Sequence, residues 1–321
     1  MKVLVIGHIH QDGINLLRAR SDVTIETTEA HKESDLVKLV PDTDAILVRS
    51  ALITSAIIEA APLLKVVSRH GVGFNSVDVE ALTARRIPLT IAVGGNAVSV
   101  AEHTLYLILA LAKQGQCYDT AARQGDFSFR NAPIAREIET SELLVIGFGR
   151  IGSQVARRAL AFGMTVHAYD PYVPDSVVQD QGAQIVRNLH EALPQMDVVS
   201  VHCPLNEETN NLISDHELRL MKPNALLINT ARGGIVDETA LHSALLQGEI
   251  AGAGIDVFVT EPTSPSLNLL ELANVVVSPH CAGVTVESSA RTARIAAQNA
   301  LDGLDSTLDE VFVVNREVLF H

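Results

Sequence analysis

With 321 residues, 47% of them hydrophobic and 19% charged, the chain is long enough for two domains with separate cores and too apolar for extensive disorder. A formal net charge of −14 argues against nucleic acid and anionic membrane as partners, so an anionic ligand must be met by local cations. No apolar run reaches the ~18–20 residues of a membrane span. Cys117, Cys203 and Cys281 are too scattered for a disulfide framework or a zinc site, so a cytoplasmic protein without a metal is expected.

Residues 1–7 carry one positive charge and a short apolar core, and read as a first strand and not as a signal peptide. Up to residue 91, strand patterns at 3–6, 23–26, 45–48, 66–68 and 88–91 alternate with helical patterns at 11–20, 54–60 and 77–83. Such alternation predicts a parallel sheet with helices on both faces. The segment 98–113 is the longest helical pattern, with Val98, Ala101, Leu105, Leu109 and Ala112 at helical spacing, and is expected to lead into a second domain. Residues 114–141 are polar, broken by Gly125 and Pro133, and read as loop.

Strands are next predicted at 143–146, 165–169, 184–186, 198–201, 225–229, 253–256 and 275–278, with helices at 151–161, 189–193, 215–220 and 238–246. The fold class is therefore α/β, with two doubly wound parallel-sheet domains. A last helical pattern at 286–304 precedes an apolar tail, 311–319, expected to dock on the first domain.

The second domain opens with Leu143-Leu144-Val145-Ile146-Gly147-Phe148-Gly149-Arg150-Ile151-Gly152, an apolar strand ending in G-x-G-x-x-G. In a dinucleotide-binding β-α-β unit Gly147 permits a tight turn, Gly149 lets backbone approach a pyrophosphate, and Gly152 lets the helix pack on its strand. The helix amino end favours that negative charge. Asp170 stands 18 residues after Gly152, where a carboxylate can accept from ribose hydroxyls. It also repels a 2′-phosphate, so NAD is expected over NADP.

Ligands of open α/β sheets bind beyond the carboxyl ends of strands. Arg232, Glu261 and His280 each follow a predicted strand of the second domain. Hydride transfer to a 2-oxo acid needs a proton donor and a cation for the carboxylate. His280 suits the acid/base role, Glu261 favours its imidazolium, and Arg232 can hold a carboxylate bidentately. Taken singly, His280 reads first as a hydrogen-bonded loop histidine, and Arg232 and Glu261 as a structural or surface ion pair.

Over nearly its whole length the chain resembles the D-isomer-specific 2-hydroxyacid dehydrogenases. The likeness rests on Gly71-Val72-Gly73-Phe74-Asn75, Ser99-Val100-Ala101-Glu102-His103, the glycine loop, Asn229-Thr230-Ala231-Arg232-Gly233-Gly234, Gly254-Ile255-Asp256-Val257 with Glu261-Pro262, and Ser278-Pro279-His280. The resemblance implies that Arg232, Glu261 and His280 are the catalytic trio. It further implies that Arg150 and Ile151 touch the pyrophosphate, Cys203 and Pro204 the adenosine side, and Thr230, Asp256 and Gly283 the nicotinamide side. The backbone of Val72 and Gly73 would grip the substrate carboxylate. The family's domain order implies a Rossmann NAD-binding domain, 98–285, inserted in a flavodoxin-like substrate domain, 1–97 and 286–321. A homodimer formed around the helix at 99–111 is also implied. The chain departs from the family at Thr140-Ser141-Glu142-Leu143, where a Gly-Lys-Thr-Leu-like lead is usual, and at Asn75, where Asp is frequent.

Arg49 and Arg69 end the strands 45–48 and 66–68 and resemble the substrate loops of 3-phosphoglycerate dehydrogenases, although ion pairs with this acidic chain's carboxylates are as good an account. The reading is an NAD-dependent dehydrogenase of a small anionic 2-hydroxy acid, with 3-phosphoglycerate in front and no serine-sensing domain expected after Leu319. Two alternatives stand beside it: a glyoxylate/hydroxypyruvate reductase, and a non-catalytic NAD(H) sensor like the C-terminal-binding-protein corepressors.

Overall fold

Short runs of Val, Ile, Leu and Ala bounded by turn residues form two all-parallel sheets in a computed structural model that describes residues 1–265 and 267–320. The chain divides into two compact units, Met1–Asn96 with the chain from Val284 on, and Ala97–Gly283.

The first unit begins with β1 (Lys2–Ile6), α1 (Gln11–Arg18), β2 (Thr24–Thr28), α2 (Glu33–Leu39), β3 (Ala45–Val48), α3 (Ser55–Glu59), β4 (Val66–Arg69), α4 (Val79–Ala84) and β5 (Leu89–Ile91). Its sheet order, β2-β1-β3-β4-β5, is the flavodoxin-like one. All four residues of β3, Ala45-Ile46-Leu47-Val48, are buried, as a parallel strand covered on both faces requires. Side chains alternate, so Leu4, Ile6, Ile46 and Val48 meet Leu36, Ile57, Ile58 and Leu82 on one face. Val3, Val5, Ala45 and Leu47 meet Ile14 and Leu17 on the other.

The second unit runs α5 (Ala97–Ala112), α6 (Gly115–Arg123), β6 (Glu142–Ile146), α7 (Gly152–Ala161), β7 (Thr165–Tyr169), α8 (Asp175–Gln179), β8 (Gln184–Ile185), α9 (Leu189–Ala192), β9 (Val198–Val201), α10 (Asp215–Leu220), β10 (Leu226–Asn229), α11 (Glu238–Gln247), β11 (Gly252–Ile255) and β12 (Val275–Val277). The sheet order β8-β7-β6-β9-β10-β11-β12 is the Rossmann order with one added strand, and it reverses between β6 and β9. The reversal puts the carboxyl end of β6, and with it the glycine loop, at the switch point. Gly252 and Gly254 of β11 let α5 lie close, since a Cβ on Gly254 would stand 2.9 Å from Leu107 Cβ.

The chain then returns to the first unit as α12 (Val286–Asp305), whose Ala293, Ala296, Ala297 and Leu301 complete the second face of that core. The apolar tail docks on β5 as expected: Val314 N–H donates to Leu89 O at 2.8 Å, and the Asn315 side chain accepts from Leu89 N at 2.8 Å. Three helices lie where the sequence reading has none. α2, α6 and α8 each bury a single residue (Leu36, Ala121 and Val178), too little to leave an apolar period. Among the described residues no helix is long and apolar enough to cross a membrane.

Candidate active site

The glycine loop has the geometry its spacing demands. Gly147 sits at φ +91, and a Cβ there would come within 2.6 Å of Cys203 N. A Cβ on Gly152 would meet Gly147 O at 2.0 Å. At Gly149 nothing lies within 4 Å of an added Cβ, so the backbone is open for a phosphate to approach. Arg150 is exposed and Ile151 half-buried just before α7. Asp170, following β7, accepts from Phe148 N at 2.8 Å and Tyr172 N at 2.9 Å, which ties it to the loop. Val173 N donates to it as well, at 3.2 Å, and since a carboxylate has about four acceptor sites, one is left for a ribose hydroxyl. On both counts the residues fit a dinucleotide.

The close approach at Gly147 also brings Cys203, and Pro204 after it, to the edge of this loop. Burial pushes the Cys203 thiol up to about 11. Thr230 is buried and its hydroxyl lies 3.0 Å from that of Thr104 on α5.

Of the three residues, Glu261 and His280 meet by a hydrogen bond, and Arg232 lies near enough to Glu261 to feel its charge. After β10 the buried Asn229 accepts from Ala231 N at 3.0 Å and donates to Arg232 O at 2.9 Å, which folds the loop that presents Arg232. Arg232 Nη1 donates to Ala231 O at 2.6 Å. Burial draws the guanidinium below its ordinary range, and the nearby Glu261 charge opposes this. Glu261 Oε1 accepts from Phe258 N at 2.9 Å, and Oε2 lies 2.6 Å from His280 Nδ1. An ionised carboxylate only accepts, so the ring proton belongs on Nδ1 and Nε2 is the atom left for substrate.

His280 adopts φ +53, and its backbone N–H donates to Asp256 O at 2.7 Å. Asp256, 1% exposed, accepts from Cys281 N and Ala282 N at 2.9 Å each and from the Ser278 hydroxyl at 2.5 Å. That hydroxyl in turn lies 2.8 Å from His103 Nε2. One buried carboxylate therefore organises the loop that carries His280. Sequence reasoning passed over Ser278, His103 and Asn229 as site residues, although all three stand inside the motifs it quoted. Gly283 is the last residue of this unit.

In the first unit Arg49 and Arg69 stand at the carboxyl ends of β3 and β4. Arg49 donates to His8 O at 3.0 Å, and Arg69 to His70 O. Burial, then the Arg49 and Arg69 charges, hold the His70 ring down at about 4. The half-buried Val72 and Gly73 follow directly.

Residues 105–282 match the family described as "D-isomer specific 2-hydroxyacid dehydrogenase, NAD binding domain". The chain belongs to this family. Within the family, the D-3-phosphoglycerate dehydrogenase of Methanocaldococcus jannaschii is 37% identical over 311 residues, covering 97% of this chain and 59% of that protein. The hydroxypyruvate reductase of Thermotoga maritima is 38% identical over 294 residues, covering 90% of this chain and 94% of that one. The D-lactate dehydrogenase of Aquifex aeolicus, solved with NAD and lactic acid, superposes with a TM-score of 0.86 at 30% identity and covers 98% and 99% of the two chains. The chain thus spans little more than half the length of the phosphoglycerate dehydrogenase and nearly all of the reductase.

Proposed function

We propose that this chain is an NAD-dependent D-2-hydroxyacid dehydrogenase, with 3-phosphoglycerate its leading substrate. The observation that carries the reading is the Glu261–His280 pair, held at 2.6 Å on the same unit as Arg232 and the open glycine loop. When bound, the reduced nicotinamide supplies the hydride for the substrate's carbonyl carbon. His280 delivers the proton to the carbonyl oxygen from Nε2, while Glu261 accepts from Nδ1–H and stabilises the charged ring beforehand. Arg232, charged throughout, orients the substrate carboxylate and polarises the carbonyl. In the oxidative direction neutral His280 takes the hydroxyl proton.

Residues 98–285 would bind the dinucleotide through Gly147, Gly149, Arg150, Ile151, Gly152, Asp170, Cys203, Pro204, Thr230, Asp256 and Gly283. Residues 1–97 and 286–321 would bind the acid, with Val72 and Gly73 taking its carboxylate and Arg49 and Arg69 a second anionic group. Asp170 and the absence of a nearby following Arg support NAD over NADP. A cytoplasmic homodimer around α5 completes the proposal, supported by the exposure of Val98 and Tyr106 on that helix. A second reading, reduction of hydroxypyruvate or glyoxylate, is favoured by the near-complete coverage of the Thermotoga maritima reductase.

NADH oxidation measured against phosphohydroxypyruvate, hydroxypyruvate, glyoxylate, pyruvate and sulfopyruvate separates the readings. The highest kcat/KM is expected with phosphohydroxypyruvate. Turnover of none of them, with NADH still bound tightly, would refute the dehydrogenase and leave a cofactor sensor.

A further inference from the structure

A second convergence of donor atoms in the same unit plays no part in that mechanism as a set. His103 on α5, Asp256 just after β11 and Cys281 beyond β12 each offer one ligand atom, and the three atoms lie within 4.8 Å of one another. Asp256 is buried, and His103 and Cys281 are half-buried, so the cluster is reached past these two side chains. His103 Nε2 is 3.9 Å from Asp256 Oδ1, with the Ser278 hydroxyl bridging the two. A thiolate, an imidazole and a carboxylate make up a borderline-soft donor set, which zinc takes at about 2.0–2.3 Å. Tetrahedral ligands at those bond lengths stand roughly 3.3–3.8 Å apart. A side-chain movement of about an ångström would close the set.

We propose that His103, Asp256 and Cys281 form a binding site for a zinc-like divalent cation, and that its occupation excludes the dinucleotide. Binding releases the Cys281 thiol proton to solvent and displaces the Ser278 hydroxyl from Asp256. Water or chloride fills the fourth position. The exclusion rests on the assignment of Asp256 to the nicotinamide side; the donor set does not. Occupation also competes for the oxygen that accepts from Cys281 N, so it disturbs the loop carrying His280. The scattered cysteines gave no such expectation, because the three ligands come from distant parts of the chain. The other grouping of this kind among the described residues, His190, His216 and Glu217, is more exposed and has no thiol, which makes it a natural control.

Cobalt(II) reports the site directly, because a thiolate ligand gives an intense near-ultraviolet charge-transfer band. Full-length protein titrated with Co2+ is expected to develop this band, H216A to keep it, C281S to lose it, and H103Q to need at least tenfold more cobalt. Saturating NADH should abolish the band. Zn2+ should inhibit turnover, with the half-inhibiting concentration rising at least tenfold in C281S when each variant is scaled to its own metal-free rate. No band, or a band or inhibition unaffected by C281S, overturns the metal site. A band that persists under saturating NADH overturns the exclusion alone. Failure to turn over any 2-oxo acid would refute the dehydrogenase reading without touching the cobalt result, so the two failures are distinguishable.

Discussion

Glu261→Gln isolates the contribution of the carboxylate to acid/base work. The native carboxylate accepts from two donors at once, Phe258 N at 2.9 Å and His280 Nδ1 at 2.6 Å. A glutamine amide has one acceptor oxygen and one donor group, so it cannot accept from both; turned toward the ring, it sets its own N–H against Phe258 N–H. Turned toward Phe258, it presents its donor to the ring, favours the opposite tautomer and opposes the charged ring. Losing a charge-assisted hydrogen bond costs about 1.5–3 kcal/mol. Each 1.36 kcal/mol is a factor of ten, so kcat/KM for the best 2-oxo acid should fall roughly 10- to 150-fold. The glycine loop is untouched, so the Kd for NADH, read by fluorescence, should change less than twofold. A fall in kcat/KM below threefold, or an equal loss in NADH affinity, would show that the pair does not serve proton transfer.

The remaining expectations address the rest of the site. Gly149→Ala should leave Tm unchanged yet weaken NADH binding more than tenfold, because the added methyl meets no protein atom within 4 Å and fills only the space for the pyrophosphate. Gly152→Ala should instead lower Tm by roughly 3–10 °C in a thermal melt, since its Cβ would overlap Gly147 O at 2.0 Å and overpacking costs about 1–3 kcal/mol. Arg49→Ala with Arg69→Ala should raise KM for phosphohydroxypyruvate at least tenfold more than for hydroxypyruvate; equal effects would reject a phosphate-binding role. His70, held down to about 4 by burial and two arginines, binds fewer protons folded than unfolded, so stability falls as pH drops from 6.5 toward 4. Its share is about 2 kcal/mol at pH 5. H70Q should remove that share from the difference in urea stability between pH 7 and pH 5, and an unchanged difference would show that the ring titrates normally.

Much of this was legible in the sequence because parallel strands buried on both faces read as continuous apolar runs, as in β3 and residues 143–146 of β6. The glycine spacing announced the turn at Gly147 and the close packing at Gly152 for the same reason: no other residue fits there. What stayed hidden was whatever carries no period. The short helices α2, α6 and α8 hold one buried residue each and are formed by their neighbours, not by their own pattern. The hydrogen bonds that link His103, Ser278 and Asp256 join residues up to 175 positions apart, and spacing along a chain contains no trace of them.

The return of α12 to the first sheet has a consequence for how the protein is made. On the ribosome β1 emerges well before α12, yet the alanine-rich surface that covers Val3, Val5 and Leu47 comes from residues 293–301, and Asn315 still later secures β5. The second unit needs nothing beyond Gly283. The segment born in the middle can therefore finish folding while the amino-terminal sheet still waits with one side bare, and it is this waiting surface that a chaperone would have to shield.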